Sequence, residues 1–195
     1  MILFSFVRNS SLYIPETNTE LEVVNVYPPS NYKHNTYKLI EILANELNIN
    51  NKDLFELMYF ETAGTLNPKI SNPNSSAKGM IQFTDASSRL LKSSNGEYYS
   101  NSEELIQKCG TIECQLSTPS DTNKYGGPVY QYLSRFKNMT NKQELYMSIF
   151  YPKAMNKSNF TFPKHIQNIN PGIVNVDDYI KLAEQRLERN TVYVD

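Results

Sequence analysis

From Asn35 onward the apolar residues recur at steps of three and four, in short runs broken by Asn, Gly and Pro. That spacing puts them on one face of a helix and suits no long strand. Leu39, Ile40, Leu43 and Leu47 set the first run, and Asn48 to Asn51 turn the chain. Asn50 or Asn51 can cap the next helix, over about Lys52 to Ala63, and Gly64 suits its left-handed end. Further helices are expected near Asp85 to Leu91, Ser102 to Lys108, Ile112 to Leu116, after Gly126-Gly127-Pro128, over Gln143 to Phe150, and over Val176 to Leu187. Pro68, Pro73 and Gly79 punctuate residues 65–83, read as loop and short extended pieces, and Pro163 and Pro171 flank a further loop. The chain therefore reads as mainly α with a small β element.

Residues 1–30 are extended in character and end at Pro28-Pro29. They read as an arm or docking segment. The expected division is an arm over 1–34, a catalytic domain over 35–165, and a C-terminal loop and helix over 166–195. The apolar start, Met1 to Val7, lacks a basic leader and a small-residue cleavage site, so no Sec-type signal is expected. No apolar run approaches the ~20 residues that span a bilayer.

The 195 residues carry a formal net charge of -1, with 39% hydrophobic and 20% charged residues, enough for one folded core. No basic stripe marks a nucleic-acid surface. The two cysteines, Cys109 and Cys114, do not make a disulfide framework. A pair of free thiols is the first reading. A local disulfide stays open, because this separation can bring the Cα atoms within the ~4.4–6.8 Å a bridge needs. His34 and His165 are isolated, and no metal or phosphate-loop pattern is present. No metal and no cofactor are expected.

The segment from Asp53 to Glu61 carries the chemistry. Leu54, Leu57 and Met58 form an apolar stripe, and Glu61 follows Leu54 by seven and Met58 by three. A carboxylate there meets apolar neighbours and the negative end of the helix dipole, both of which disfavour its charged form. A carboxyl still protonated near neutral pH can serve as a general acid. The competing reading is a solvated Glu at a frayed helix end.

After Glu61 come Thr62-Ala63-Gly64, then Asn67-Pro68, then Gly79-Met80-Ile81-Gln82-Phe83. This order resembles the signature of the SLT lytic transglycosylases and goose-type lysozymes, above all phage and tail-associated members. The usual form there is Glu-Ser-Gly, Asn-Pro and Gly-Leu-Met-Gln. The likeness covers about residues 50–165. It implies a lysozyme-like fold and cleavage of the MurNAc-GlcNAc β-1,4 bond of peptidoglycan. Glu61 would protonate the linking oxygen, then as carboxylate take the proton of the MurNAc 6-hydroxyl, closing a 1,6-anhydro ring. Gln82, with Gly79, Met80 and Asn67, would line the sugar site, Gly79 by letting the glycan approach the backbone and Met80 by packing beneath the cleft. Tyr151, in Ile149-Phe150-Tyr151-Pro152-Lys153-Ala154, is similar to the tyrosine that orients the acid. The Asn and Gly that follow it in the usual motif are absent, and one extra residue separates Glu61 from Asn67.

Two other readings stay open. A muramidase that uses water would need a second carboxylate, for which Asp85 is the candidate. A non-catalytic glycan-binding or virion protein would use the arm and final helix for docking. The expected partners are glycan strands and other virion or tail proteins. The expected place of action is the cell wall, reached on a virion.

Overall fold

The computed structural model describes residues 34–136, 139–157 and 159–190. The arm expected at the start lies, apart from His34, outside the described residues.

Helix α1, His34–Leu47, buries Ile40, Leu43 and Ala44 at the expected spacing. Asn48 leaves it with φ 54. Helix α2, Asn51–Glu61, is capped as expected: Asn50 Oδ1 accepts from the backbone N–H groups of Lys52 at 2.9 Å and Asp53 at 3.2 Å. At its other end Gly64, with φ 80, donates its N–H to the carbonyl of Tyr59 at 2.7 Å. This satisfies one of the orphan carbonyls of the last turn. Leu57, Met58, Tyr59, Phe60 and Glu61 are buried in succession. Consecutive burial goes all the way round a helix, so the end of α2 is enclosed rather than laid on a surface.

Three elements enclose it: α1; α7, Lys142–Phe150; and α9, Val176–Asn190. Residues Glu144 to Phe150 of α7 are themselves all buried. On the outside, Lys142 Nζ sits 3.0 Å from Glu56 Oε2 and 3.5 Å from Glu184 Oε1, tying the three helices together. Val176, Tyr179 and Ala183 of α9 belong to the main core. The final helix, set apart in the expected division as part of a C-terminal loop and helix, packs into the body that carries Glu61.

Between α2 and α7 come α3 (Asp85–Ser88), α4 (Ser102–Lys108), α5 (Ile112–Leu116) and α6 (Pro128–Leu133). Helix α3 stops three residues short of the expected Leu91. The hydroxyls of Ser87 and Ser88 both donate to the carbonyl of Thr84, competing with the helix ladder. The loop expected between Pro163 and Pro171 holds a short helix, α8, Lys164–Ile169, which begins directly after Pro163.

The fold is mainly helical. The expected small β element is reduced, among the described residues, to isolated bridges with no sheet. Residues 79–83, expected as a strand, form a turn closed by reciprocal backbone bonds between Lys78 and Phe83, at 3.0 and 2.7 Å. Gly79 (φ 81) and Gln82 (φ 55) both lie in the left-handed region, which folds the chain back on itself. No helix among the described residues is long and apolar enough to cross a membrane.

Candidate active site

Glu61 is the last residue of α2 and is 4% exposed. Burial pushes its carboxyl up to about 8, against smaller downward effects of a hydrogen bond from Tyr179 and the charge of Arg186. The Tyr179 hydroxyl donates to Glu61 Oε1 at 3.0 Å. Burial and the adjacent carboxyl raise the phenol of Tyr179 well above its ordinary value, so it remains a donor.

Tyr179 is fully buried among other rings. Its ring stacks on Phe150 at 4.1 Å, meets Phe60 edge-on at 5.7 Å and packs against Tyr146 at 6.4 Å. The Arg186 guanidinium lies 5.5 Å over the Phe60 ring. Three elements thus converge: α2 brings the acid, α9 its partner, and α7 the wall behind the partner. The hydroxyl of Tyr146 is buried in this cluster with no hydrogen-bond partner.

The tyrosine expected in this role was Tyr151, and the structure corrects that expectation. Tyr151 caps the end of α7, and its ring packs on Phe160 and Phe162, both at 5.6 Å. The hydrogen bond to Glu61 comes from Tyr179 instead. A signal for Tyr179 did exist: it lies between Val176 and Ala183 at steps of three and four, a polar tip on an apolar stripe, as Glu61 does on α2.

Beside this cluster lies a pocket of about 170 Å³ lined by Ile81, Gln82, Phe83, Thr84, Ser87, Tyr132, Ile149 and Phe150. Gln82 is 4% exposed; its Nε2 donates to the Gly79 carbonyl at 3.1 Å, and its Oε1 is buried without a partner. A buried acceptor without a partner is costly and uncommon, which sets Gln82 apart among the residues of this pocket. Tyr132 lines the pocket, its hydroxyl donates to the Ser148 carbonyl at 3.1 Å, and burial raises its phenol. A wider cavity of about 660 Å³ lies at the α1–α2 turn and α6, and neither Glu61 nor Gln82 lines it.

The other expected site residues, Met80, Asn67 and Gly79, are not among those that line the pocket. Met80 is fully buried, a floor rather than a contact surface. Asn67 is exposed, and its Oδ1 accepts from the Lys69 N–H at 2.9 Å, which makes it a turn former. Gly79 is required for a different reason from the one expected. A Cβ there would sit 2.8 Å from Gln115 Oε1 and 3.1 Å from Ile106 Cδ1, so protein side chains, not a glycan, demand its smallness. The extended spacing after Glu61 is absorbed by a turn in which Ala63 (φ 51), Gly64 and Leu66 (φ 47) are all left-handed.

Asp85, the candidate second carboxylate, is committed elsewhere. Its Oδ1 accepts from the Ser102 N–H at 3.0 Å and the Ser102 hydroxyl at 2.9 Å. Those bonds hold its carboxyl below the ordinary range. Cys109 and Cys114, first read as free thiols, form a disulfide with Cα atoms 5.3 Å apart. No group of His, Cys, Asp and Glu that could hold a metal occurs among the described residues.

Comparison of the chain with protein-family models, with curated proteins and with solved structures found no match.

Proposed function

We propose that this protein is a peptidoglycan lytic transglycosylase with a lysozyme-like fold, in which Glu61 acts first as acid and then as base. The observation that carries the reading is the enclosed Glu61 carboxyl, raised to about 8 and bonded by a caged tyrosine whose neighbour Phe150 lines the pocket that also holds Gln82. A carboxyl protonated at neutral pH can deliver its proton to the oxygen linking MurNAc to GlcNAc. The C1–O bond breaks, and the leaving GlcNAc keeps that proton on its 4-hydroxyl. The carboxylate left on Glu61 then takes the proton of the MurNAc 6-hydroxyl while O6 bonds to C1. Glu61 ends protonated, ready for the next strand.

This sequence of steps needs one carboxyl. A hydrolase that inverts or retains normally needs two. The Asp85 carboxylate, held by Ser102, speaks against the muramidase reading. The disulfide fits action outside the reducing cytosol, in line with an enzyme carried to the cell wall on a virion.

Mass spectrometry of a digest of purified sacculi tests the proposal. Products ending in 1,6-anhydro-MurNAc support it. Reducing MurNAc ends would mean a water-using muramidase, and undigested sacculi a glycan-binding or structural protein.

A further inference from the structure

The side chain of Gln115 makes three hydrogen bonds to backbone groups of separate segments. It is fully buried on α5. Its Oε1 accepts the N–H of Met80 at 2.9 Å, and its Nε2 donates to the carbonyls of Pro68 at 2.6 Å and Cys109 at 3.1 Å. One amide thus joins three separate segments: the loop that follows Glu61, the turn that carries Gln82, and the end of α4. Gly79 sits directly against it, with no room for a Cβ. The disulfide brackets the same residue. Cys114 precedes Gln115 in the chain, and Cys109 is both its partner in the bridge and one of the carbonyls Gln115 holds.

We propose that Gln115 is a positioning residue that sets the Gly79–Gln82 turn in register with Glu61, and that the Cys109–Cys114 disulfide fixes Gln115 in that role. The clamp rests on the transglycosylase reading for its consequence in catalysis, but not for its geometry. With the bridge closed, the end of α4 and the start of α5 hold the amide at one place. A dithiol opens the bridge by taking up both sulfur bonds: Cys109 and Cys114 each leave as a thiol with one proton, and the dithiol becomes a disulfide. The Gln115 amide then loses its covalent frame and the turn loosens. Because the turn carries the sugar-facing amide and not the acid, the effect falls on substrate binding rather than on the chemical step.

The test uses the full chain, oxidised and after dithiothreitol, beside Gln115→Met, which keeps the length of the side chain and removes all three bonds. Two quantities are read: KM and kcat on soluble uncrosslinked glycan strands, and hydrogen exchange at the Met80 amide. In Gln115→Met, KM rises about tenfold with kcat within about twofold. Exchange at Met80 quickens about tenfold or more, while amides of α7 keep their protection. Reduction of the wild-type protein, verified by the appearance of two thiols, moves both quantities the same way. Reduction of Gln115→Met adds no further change, since two perturbations of one clamp do not multiply. The proposal is overturned if Met80 stays protected in Gln115→Met, if reduction leaves KM and Met80 unchanged, or if the two effects multiply. If Gln115→Met does not fold, reduction of the wild-type chain decides by the same two readings. Should the wild-type protein cleave no glycan, the functional reading fails, and exchange at Met80 still judges the clamp.

Discussion

Around Glu61 the protein uses rings, and around Gln82 it uses amides. Tyr179 lies among Phe150, Phe60 and Tyr146, with ring centroids 4.1 to 6.4 Å away. The Gly79–Gln82 turn is held by Gln115, by the Lys78–Phe83 bonds and by the Gln82 side chain on the Gly79 carbonyl. The difference follows from what each must do. A raised carboxyl needs a dry, rigid surround, and close-packed aromatic groups supply it. A turn with two left-handed residues needs directional bonds, because no packing of side chains alone fixes its backbone. Loss of the one bond at the acid therefore leaves the surrounding packing in place and frees only the carboxyl, whereas loss of one amide at the turn is felt along the turn.

The sharpest break of this comparison is Glu61→Gln. The amide can still accept from Tyr179, so the cage survives, but it has no acidic proton. Turnover should fall at least about a thousandfold, the upper range of general acid-base effects. Loss of turbidity of purified sacculi measures it. Stability should change in the opposite sense with pH. The folded carboxyl is raised from 4.5 to about 8, so the folded state holds a proton that the unfolded state has released. The stability this confers is fully present below about 4.5 and is lost as pH rises to about 8. Thermal melts should show Glu61→Gln gaining on the wild-type protein across that window, by up to a few kcal/mol. Parallel melting curves would mean that burial does not raise this group.

Tyr179→Phe comes next in size. The ring and its stack on Phe150 remain, and only the hydroxyl is removed. The carboxyl then turns more freely, and turnover should drop on the order of ten- to a hundredfold, ~1.4–2.7 kcal/mol in the barrier. The Tyr179 hydrogen bond lowers the Glu61 carboxyl, so its loss should move the alkaline limb of the pH–rate profile upward from about 8. A profile that keeps both its height and its limb would remove Tyr179 from the mechanism.

These two residues were not equally legible in the sequence. Glu61 could be found because everything that defines it is local: the Asn50 cap, the stripe Leu54-Leu57-Met58, and Gly64 past the end. Tyr179 lies 118 residues away, and only the packing of α9 on α2 brings it there. The same limit explains the turn. The apolar residues around Gln82 suggested a strand, and nothing in a glutamine announces the left-handed backbone that makes it a turn. Nor does the spacing of Cys109 and Cys114 choose between thiols and a bridge. That choice is made by the corner between α4 and α5, where Cys109 ends one helix and Cys114 lies within the next.

Asp85→Asn tests whether the turn side of the pocket hides a second catalytic carboxyl. An amide oxygen can still accept from Ser102, so the link from α3 to α4 should weaken by about 1 kcal/mol. Glycan cleavage should stay within about threefold of the wild-type rate. A collapse of cleavage like that of Glu61→Gln would restore the muramidase reading.

The smallest effect is expected at Tyr151, although its place in the sequence made it the candidate partner of the acid. Its ring fills the space beside Phe160 and Phe162, and that packing does not involve the hydroxyl. Its backbone N–H, which closes the last turn of α7 onto the Met147 carbonyl, is also untouched by a side-chain change. Tyr151→Phe should therefore melt within a degree or two of the wild-type protein and cleave sacculi within about twofold of its rate, the range of substitutions that remove no packing and no buried bond. Measured beside Tyr179→Phe, it separates the two tyrosine hydroxyls by role. If Tyr151→Phe lost ten- to a hundredfold in turnover and Tyr179→Phe did not, the cage around Tyr179 would be a core like any other, and the aiming of Glu61 would have to come from the end of α7.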